Sequence, residues 1–215
     1  MPYIWGVDSS TNVTTELYNC VLNNFGKPEF WGRYLTTVPN ASEGLTQEEM
    51  ELLHNSGTRI LPIYNKFTES RGYRAGRVIA QNAAFHAKRL GFPKGTVLYA
   101  NVERFFSVDE AWIRGYVDAM FTTDYKPGFY HDPVEGNFSK AYCDAVANNE
   151  KVSQQSVLWS AEPEPGVTRR REAPTFNPRK VPCNANVWGW QYGRDAESCP
   201  IDTNLVDERM FNMMW

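Results

Sequence analysis

Residues 96–123 read TVLYANVERFFSVDEAWIRGYVDAMFTT, and this stretch decides the fold. The run Thr96–Glu103 has the length and apolar content of a buried strand. Asp109 is placed to cap a helical pattern over Asp109–Thr123. A strand handing over to a helix is half of a βαβ unit, and the rest of the chain repeats it. Further strands are predicted at Tyr3–Asp8, Phe30–Leu35, Arg59–Tyr64, Gly128–His131, Ser156–Ala161, Asn186–Tyr192 and Ile201–Leu205. Helical patterns at Thr14–Asn24, Thr46–Ser56 and Gly76–Leu90 fill the earlier gaps, and Ser139–Asn149 follows the fifth strand. Strict alternation is the signature of parallel strands joined by crossover helices.

The punctuation agrees with these divisions. Thr46 with Glu49 forms a capping box, and Gly57 is placed to end the helix in the left-handed conformation. Gly91 with Pro93 does the same for the third helix, and Lys126–Pro127–Gly128 turns into the fifth strand. The pattern weakens after strand six: Glu162–Pro182 is rich in Pro, Arg and Glu, and Gly193–Pro200 is too short for a full helix. Closure of a barrel requires its strands and not every helix. The expectation is therefore one α/β domain over residues 1–215, a (β/α)₈ TIM-type barrel with helices missing in its C-terminal part. The rival, an open doubly wound sheet, lacks its phosphate fingerprint, because Gly6 is followed by Val7–Asp8–Ser9.

Composition narrows the function. Hydrophobic residues make up 42% of the chain and charged residues 22%, which is ordinary globular usage. Seven Trp, eleven Tyr and twelve Phe leave a surplus that suits stacking against flat rings, or an aromatic-rich core. A formal net charge of −3 with dispersed Lys and Arg argues against nucleic acid; the run Arg169–Arg170–Arg171 sits in the Pro-rich stretch and reads as a solvated loop. No segment approaches the ~20 apolar residues that cross a bilayer. Met1 runs directly into a strand-like segment without a signal peptide, so the expected location is the cytoplasm or the outside by another route. Cys20, Cys143, Cys183 and Cys199 form no CxxC pair, and His54, His86 and His131 stand apart, so neither metal nor cofactor is expected. Cys20 and Cys143 fall in helical patterns and read as buried thiols, whereas Cys183 and Cys199 flank one strand and leave a bridge open. There is no GxSxG around any serine.

In a barrel, function gathers where the strands finish. Strand one ends at Asp8, strand two carries Arg33, strand three ends Tyr64–Asn65, and strand four ends Asn101–Val102–Glu103. Strand five offers His131 and Asp132, strand six Trp159 and Glu162, strand seven Trp190, Gln191 and Tyr192, and strand eight Asp202 and Asn204. Alternation puts Asn101 with Glu103, and Asp202 with Asn204, on shared faces. Strands one and eight are neighbours on closure, which brings Asp8 near Asp202 with Glu103 across the mouth. Converging carboxylates push at least one pKa upward and pair a protonated acid with an ionised partner, the arrangement that glycosidic cleavage uses. Arg33 is positioned to neutralise Asp8 or Glu103. Tyr64, Trp159, Trp190 and Tyr192 offer faces to sugar rings, and Trp188 is expected to point outward beneath the helices.

The segments Gly6–Val7–Asp8–Ser9–Ser10, Gly32–Arg33–Tyr34–Leu35, Leu61–Pro62–Ile63–Tyr64, Leu98–Tyr99–Ala100–Asn101–Val102–Glu103, Trp190–Gln191–Tyr192 and Ile201–Asp202–Thr203–Asn204–Leu205 carry a resemblance. In order and spacing the chain resembles the bacterial glycoside hydrolase-like barrels of Rv2525c type, which are similar in turn to the family 25 lysozymes. The resemblance spans essentially the whole chain. It implies a (β/α)₈ fold, a carbohydrate partner such as peptidoglycan, and a site in which Asp8, Glu103 and Asp202 carry the chemistry with Glu103 as general acid. Asn101, Arg33, Tyr64, His131, Trp159, Trp190, Gln191, Tyr192 and Asn204 would then contact substrate. The lysozymes have Asp-x-Glu on the fourth strand, and here its first carboxylate is Asn101. An amide cannot supply negative charge, although it still orients an N-acetyl group. Three readings follow: a glycoside hydrolase of cell-wall polysaccharide, a carbohydrate-binding barrel without turnover, and a scaffold whose strand-end charges are only structural.

Overall fold

A computed structural model describes residues 3–215; Met1 and Pro2, where the reading of the N-terminus begins, lie outside the described residues. Eight strands close into one barrel in chain order: β1 (Ile4–Asp8), β2 (Phe30–Tyr34), β3 (Arg59–Tyr64), β4 (Val97–Val102), β5 (Lys126–His131), β6 (Val157–Ser160), β7 (Asn186–Gly193) and β8 (Asp202–Val206). The helices are α1 (Thr15–Asn24), α2 (Gln47–Asn55), α3 (Tyr73–Arg89), α4 (Glu110–Phe121), α5 (Phe138–Asn148), α6 (Lys151–Gln155) and α7 (Glu208–Phe211). The expected barrel is present, and its helical coat is confined to the first five connections. Between β6 and β7 runs a long loop with one 3₁₀ turn at Arg170–Glu172, where Arg170 pairs with Glu29 at 2.7 Å.

Strands β1 to β7 run parallel, but β8 pairs antiparallel with both β7 and β1. With only 194–201 between them, β7 and β8 are joined as neighbouring antiparallel strands are, without a crossover. As a consequence β8 begins at the mouth, so Asp202 opens its strand rather than closing it, directly opposite Asp8.

Capping fixes the helix starts as the sequence implies. Thr14, Thr46 and Asp109 accept from the backbone N–H groups of Leu17, Glu49 and Trp112, and the Thr46–Glu49 capping box is closed in both directions. α3 starts at Tyr73, ahead of the expected Gly76. Gly76 serves instead in packing: a Cβ there would overlap the Trp112 carbonyl, and one at Gly115 would overlap the Tyr73 carbonyl. Two glycines thus let the α3 and α4 backbones touch, which side chains of any size would prevent.

The core has two layers. Inside the barrel lie Phe30, Leu61, Ile63, Val97, Tyr99, Val157, Trp159 and Val206, with Met210 and Met214 closing the base. Outside, Val7, Trp31, Ile60, Leu98, Phe129 and Leu158 pack under the helices. Trp188 departs from the expectation. The register shifts by one residue where Leu158 faces Val187 and Trp159 faces Gly189, and this bulge turns Trp188 toward the interior cluster at the base.

The cysteines also correct the sequence reading. Cys20 on α1 is bonded to Cys199 in the β7–β8 loop, and Cys143 on α5 to Cys183 before β7, with Cα separations of 6.1 and 5.6 Å. Neither Cys20 nor Cys143 is a buried thiol. Cys183 and Cys199 cannot meet, because they lie beyond opposite ends of β7, and a strand of that length spans roughly 25 Å.

Candidate active site

At the mouth, β1, β4, β7 and β8 deliver their polar residues into a pocket of about 240 Å³. Its lining comprises Asp8, Tyr34, Ile63, Asn101, Glu103, Tyr130, Trp159, Gln191, Arg194, Asp195 and Asp202. Below them the interior is plugged by Tyr99 and Trp159, so the pocket is a shallow well on a solid core.

Gln191 organises the well. Its Nε2 donates to Asp8 Oδ2 and to Asp202 Oδ2, each at 3.0 Å. Its Oε1 accepts from the Tyr130 hydroxyl at 2.7 Å and from Arg194 Nε at 3.0 Å. A flipped amide would set oxygen against two carboxylates and nitrogen against two donors, so one orientation is fixed. Asn204 supports Asp8 from the next position inward: its Nδ2 donates to Asp8 Oδ2 at 2.7 Å, and its Oδ1 accepts from Trp159 Nε1 at 3.0 Å. The backbone N–H of Asp195 donates to Asp202 Oδ1 at 2.8 Å. Across the well, Asn101 Nδ2 donates to Glu103 Oε1 at 2.8 Å.

Burial raises the pKa of Asp8, against the hydrogen bonds from Gln191 and Asn204 and the charges of Arg194 and Arg33. Burial followed by the charge of Asp8 pushes Asp202 up to about 8, with the Asp195 N–H pulling the other way. At neutral pH the two carboxyls therefore hold a proton between them. Burial, then the charges of Asp8, Glu103 and Asp202, keeps the Tyr34 hydroxyl protonated, and burial foremost does the same for Tyr130.

Of the residues expected here, Asp8, Asn101, Glu103, Trp159, Gln191 and Asp202 line the pocket, and Asn204 touches it through Asp8. Five others do not line it. Arg33, fully buried, points out of the barrel to Glu49 and to the carbonyls of Ser9 and Glu43, so it neutralises neither Asp8 nor Glu103. Tyr64 packs between Phe67 and the half-buried His86. Trp190 donates to the Pro163 carbonyl, and the Tyr192 hydroxyl accepts from Trp5. His131 stacks on Phe138 at 4.2 Å with both ring nitrogens unbonded among the described residues, and burial drops its pKa to about 4. The physical reason is parity. Tyr34, Tyr130 and Gln191 face the axis, so their immediate neighbours Arg33, His131, Trp190 and Tyr192 face the helices or loops.

Tyr34, Tyr130, Arg194 and Asp195 were not foreseen. The first two share the face of the pocket carboxylates and were legible by parity. Arg194 and Asp195 lie in the β7–β8 loop, whose path no local pattern dictates. Among the described residues no group of three His, Cys, Asp or Glu is arranged to hold a metal ion, and no helix is long and apolar enough to cross a membrane.

A curated relative, the uncharacterized protein YbfG of Bacillus subtilis (strain 168), is 34% identical over 108 residues; the match covers 45% of this chain and 14% of YbfG. A crystal structure of an uncharacterized B. stearothermophilus protein is 54% identical with a TM-score of 0.97, covering 99% of this chain and 100% of that one. At the level of fold alone, the chain is similar to a muramidase from Acremonium alcalophilum (14% identity, TM-score 0.59, 98% and 96% covered). It is likewise similar to a family 25 glycosyl hydrolase from Bacillus anthracis (14%, 0.57, 97% and 91%). The model of the Rv2525c-like, glycoside hydrolase-like domain matches residues 27–178, most of the barrel, and the chain belongs to that family.

Proposed function

We propose that the mouth of this barrel hydrolyses glycosidic bonds in peptidoglycan or a related polysaccharide, with Glu103 as general acid. The observation that carries the reading is the division of the pocket carboxylates. Glu103 stands on one wall with a single amide donor on Oε1, and Asp8 with Asp202 stands opposite, joined through Gln191.

In this reading Glu103 gives its proton to the leaving oxygen through the carboxyl oxygen that Asn101 does not hold. The Asp8–Asp202 pair retains negative charge beside the anomeric carbon and stabilises the positive charge that develops there, until a water adds to that carbon and gives its proton back to Glu103. Gln191 keeps the pair aimed, and Tyr34 and Tyr130, held as neutral hydroxyls, donate to ring substituents. The fold shared with a muramidase and a family 25 glycosyl hydrolase supports the choice of substrate.

A second reading, carbohydrate binding without turnover, rests on Asn101, whose neutral amide occupies the wall beside the acid. Release of reducing ends from purified peptidoglycan separates the two. Wild-type protein releases them, and Glu103→Gln lowers the rate by at least about 10³-fold. Equal release by the variant would overturn the acid assignment; retention on peptidoglycan without release by the wild type would favour binding.

A further inference from the structure

The two segments that lack a helix meet beside the Asp8–Asp202 wall. In the loop between β6 and β7, residues 163–167 lie directly on the end of β7. The Pro163 carbonyl accepts from Trp190 Nε1 at 2.8 Å, the Gly166 N–H donates to the Tyr192 carbonyl at 3.1 Å, and a Cβ at Gly193 would overlap the Val167 nitrogen. That contact brings Glu164 to Arg194, the first residue after β7, with Oε1 3.3 Å from Nε. Arg194 Nε donates in turn to Gln191 Oε1 at 3.0 Å, and Gln191 Nε2 donates to Asp8 and Asp202. An unbroken line of polar contacts thus runs from the loop to the carboxylate pair. Because the Tyr130 hydroxyl is the second donor to Gln191 Oε1, both N–H groups and both lone pairs of the amide are engaged, and Arg194 is half of what holds its oxygen.

Charge is a second and separate observation. Among the described residues Arg194 is the one cation lining the well, and its charge reaches Asp8, Asp202 and Glu103. The other groups that face the pair do not share this part. Tyr34 and Tyr130 keep their protons, Glu103 and Asp195 are themselves acidic, Arg33 is turned to Glu49, and Glu164 is paired with Arg194. We propose that Arg194 is a positioning residue: clasped by Glu164, it fixes Gln191 and through it holds Asp8 and Asp202 as one aimed, anionic wall. The proposal rests on the glycan-cleaving reading and gives the Pro-rich segment after β6 a part in it. Without the guanidinium, Gln191 Oε1 keeps only Tyr130, and the pair takes up protons more readily, which removes the negative charge that meets the developing cation.

Release of reducing ends from purified peptidoglycan, followed as a function of pH, tests this with Arg194→Met. kcat is expected to fall at least about tenfold with far less change in KM. The pH profile is expected to move up by about one unit, because Asp8, Asp202 and Glu103 lose the same cation. Arg194→Lys, which keeps the charge and a donor, holds the profile in place and recovers most of kcat. Arg209→Met, beside Trp188 at the base, removes a distant cation and leaves the profile unmoved. A profile that Arg194→Met leaves in place, or that Arg209→Met moves as far, overturns the proposal and leaves the hydrolase reading standing. Glu164→Gln, outside the well, loosens the clasp and lowers kcat about threefold with KM unchanged, an effect that is read even if Arg194→Met does not fold; wild-type kcat in this variant overturns the clasp. Carboxyl titrations of Asp8 and Asp202, followed by carbon NMR, report the same shift without turnover. Should wild-type protein not cut peptidoglycan, titrations that move upward in Arg194→Met alone support the hold of Arg194 on the pair while removing the hydrolytic reading, and unmoved titrations remove both.

Discussion

The two ends of this barrel solve opposite problems. The base is sealed by Val97, Val157, Val206, Met210 and Met214, which contribute stability in proportion to the apolar surface they remove from water. The mouth buries Asp8 beside Asp202, and the elevation of both pKa values measures how much folding resists their ionisation. The base also has the larger cavity, about 420 Å³ between Phe121, Tyr125, Trp188 and Met213, against about 240 Å³ at the mouth. The proposed site is thus the smaller of the two cavities, and what singles it out is its convergent titratable groups. The contrast teaches that stability is concentrated at one end so that strain can be carried at the other.

Core truncation tests the base most severely. Phe30→Ala, removing a fully buried ring from the interior cluster, is expected to cost about 3–5 kcal/mol in chemical unfolding while leaving the activity of the folded fraction unchanged. A variant as stable as wild type would break the comparison at its stable end.

The next largest effect concerns what holds the mouth loop. Cys199 anchors the segment that carries Arg194 and Asp195 to α1, closing a sequence separation of 179 residues. Cys20→Ser with Cys199→Ser is expected to lose about 2–5 kcal/mol and to raise KM, as read by unfolding curves and by steady-state kinetics. Loss of stability with unchanged KM would mean that the loop is positioned by Asp202 and Glu164 alone.

Opposite in sign is Asp202→Asn. A carboxyl whose folded pKa lies near 8, against about 3.9 unfolded, lowers stability progressively as pH climbs from about 4 to about 8. The neutral amide escapes that loss, so the variant gains on the order of 2 kcal/mol at pH 8, after discounting its mismatch with the Gln191 amide, while activity collapses. A variant less stable than wild type at pH 8 would show that the mouth carries no such strain.

The smallest effect separates the pocket from its outer wall. His131 stays neutral in the fold down to about pH 4, whereas the unfolded chain protonates below about 6.5, so stability falls as pH drops between those values. His131→Phe abolishes that loss, a difference of about 2 kcal/mol at pH 5 and almost none at pH 7, read from Tm against pH. An unchanged acid slope would assign the sensitivity to other groups.

The extent to which sequence foretold this molecule follows the reach of local forces. Strand and helix order was legible because periodicity, caps and turn residues act over a few positions, as at Thr46–Glu49 and Asp109. Asp8, Asn101, Glu103 and Asp202 were legible because alternation and barrel closure leave them little choice. Arg33, Tyr64, His131, Trp190 and Tyr192 misled because a polar or aromatic residue near a strand end looks the same whichever way it faces, and only the parity set by the neighbouring strand decides. The bulge at Trp188, the reversal of β8, the disulfide partners and the placement of Arg194 depend on contacts far apart in the chain, where local pattern has no hold.

The most direct test is a crystal structure of Glu103→Gln with a soluble peptidoglycan tetrasaccharide. The sugar chain is expected to cross the mouth, its glycosidic oxygen within about 3 Å of the residue 103 side chain and the adjoining ring against Asn101 and Gln191. A chain seated instead in the base cleft beside Trp188 and Phe121 would contradict the assignment of the mouth as the site.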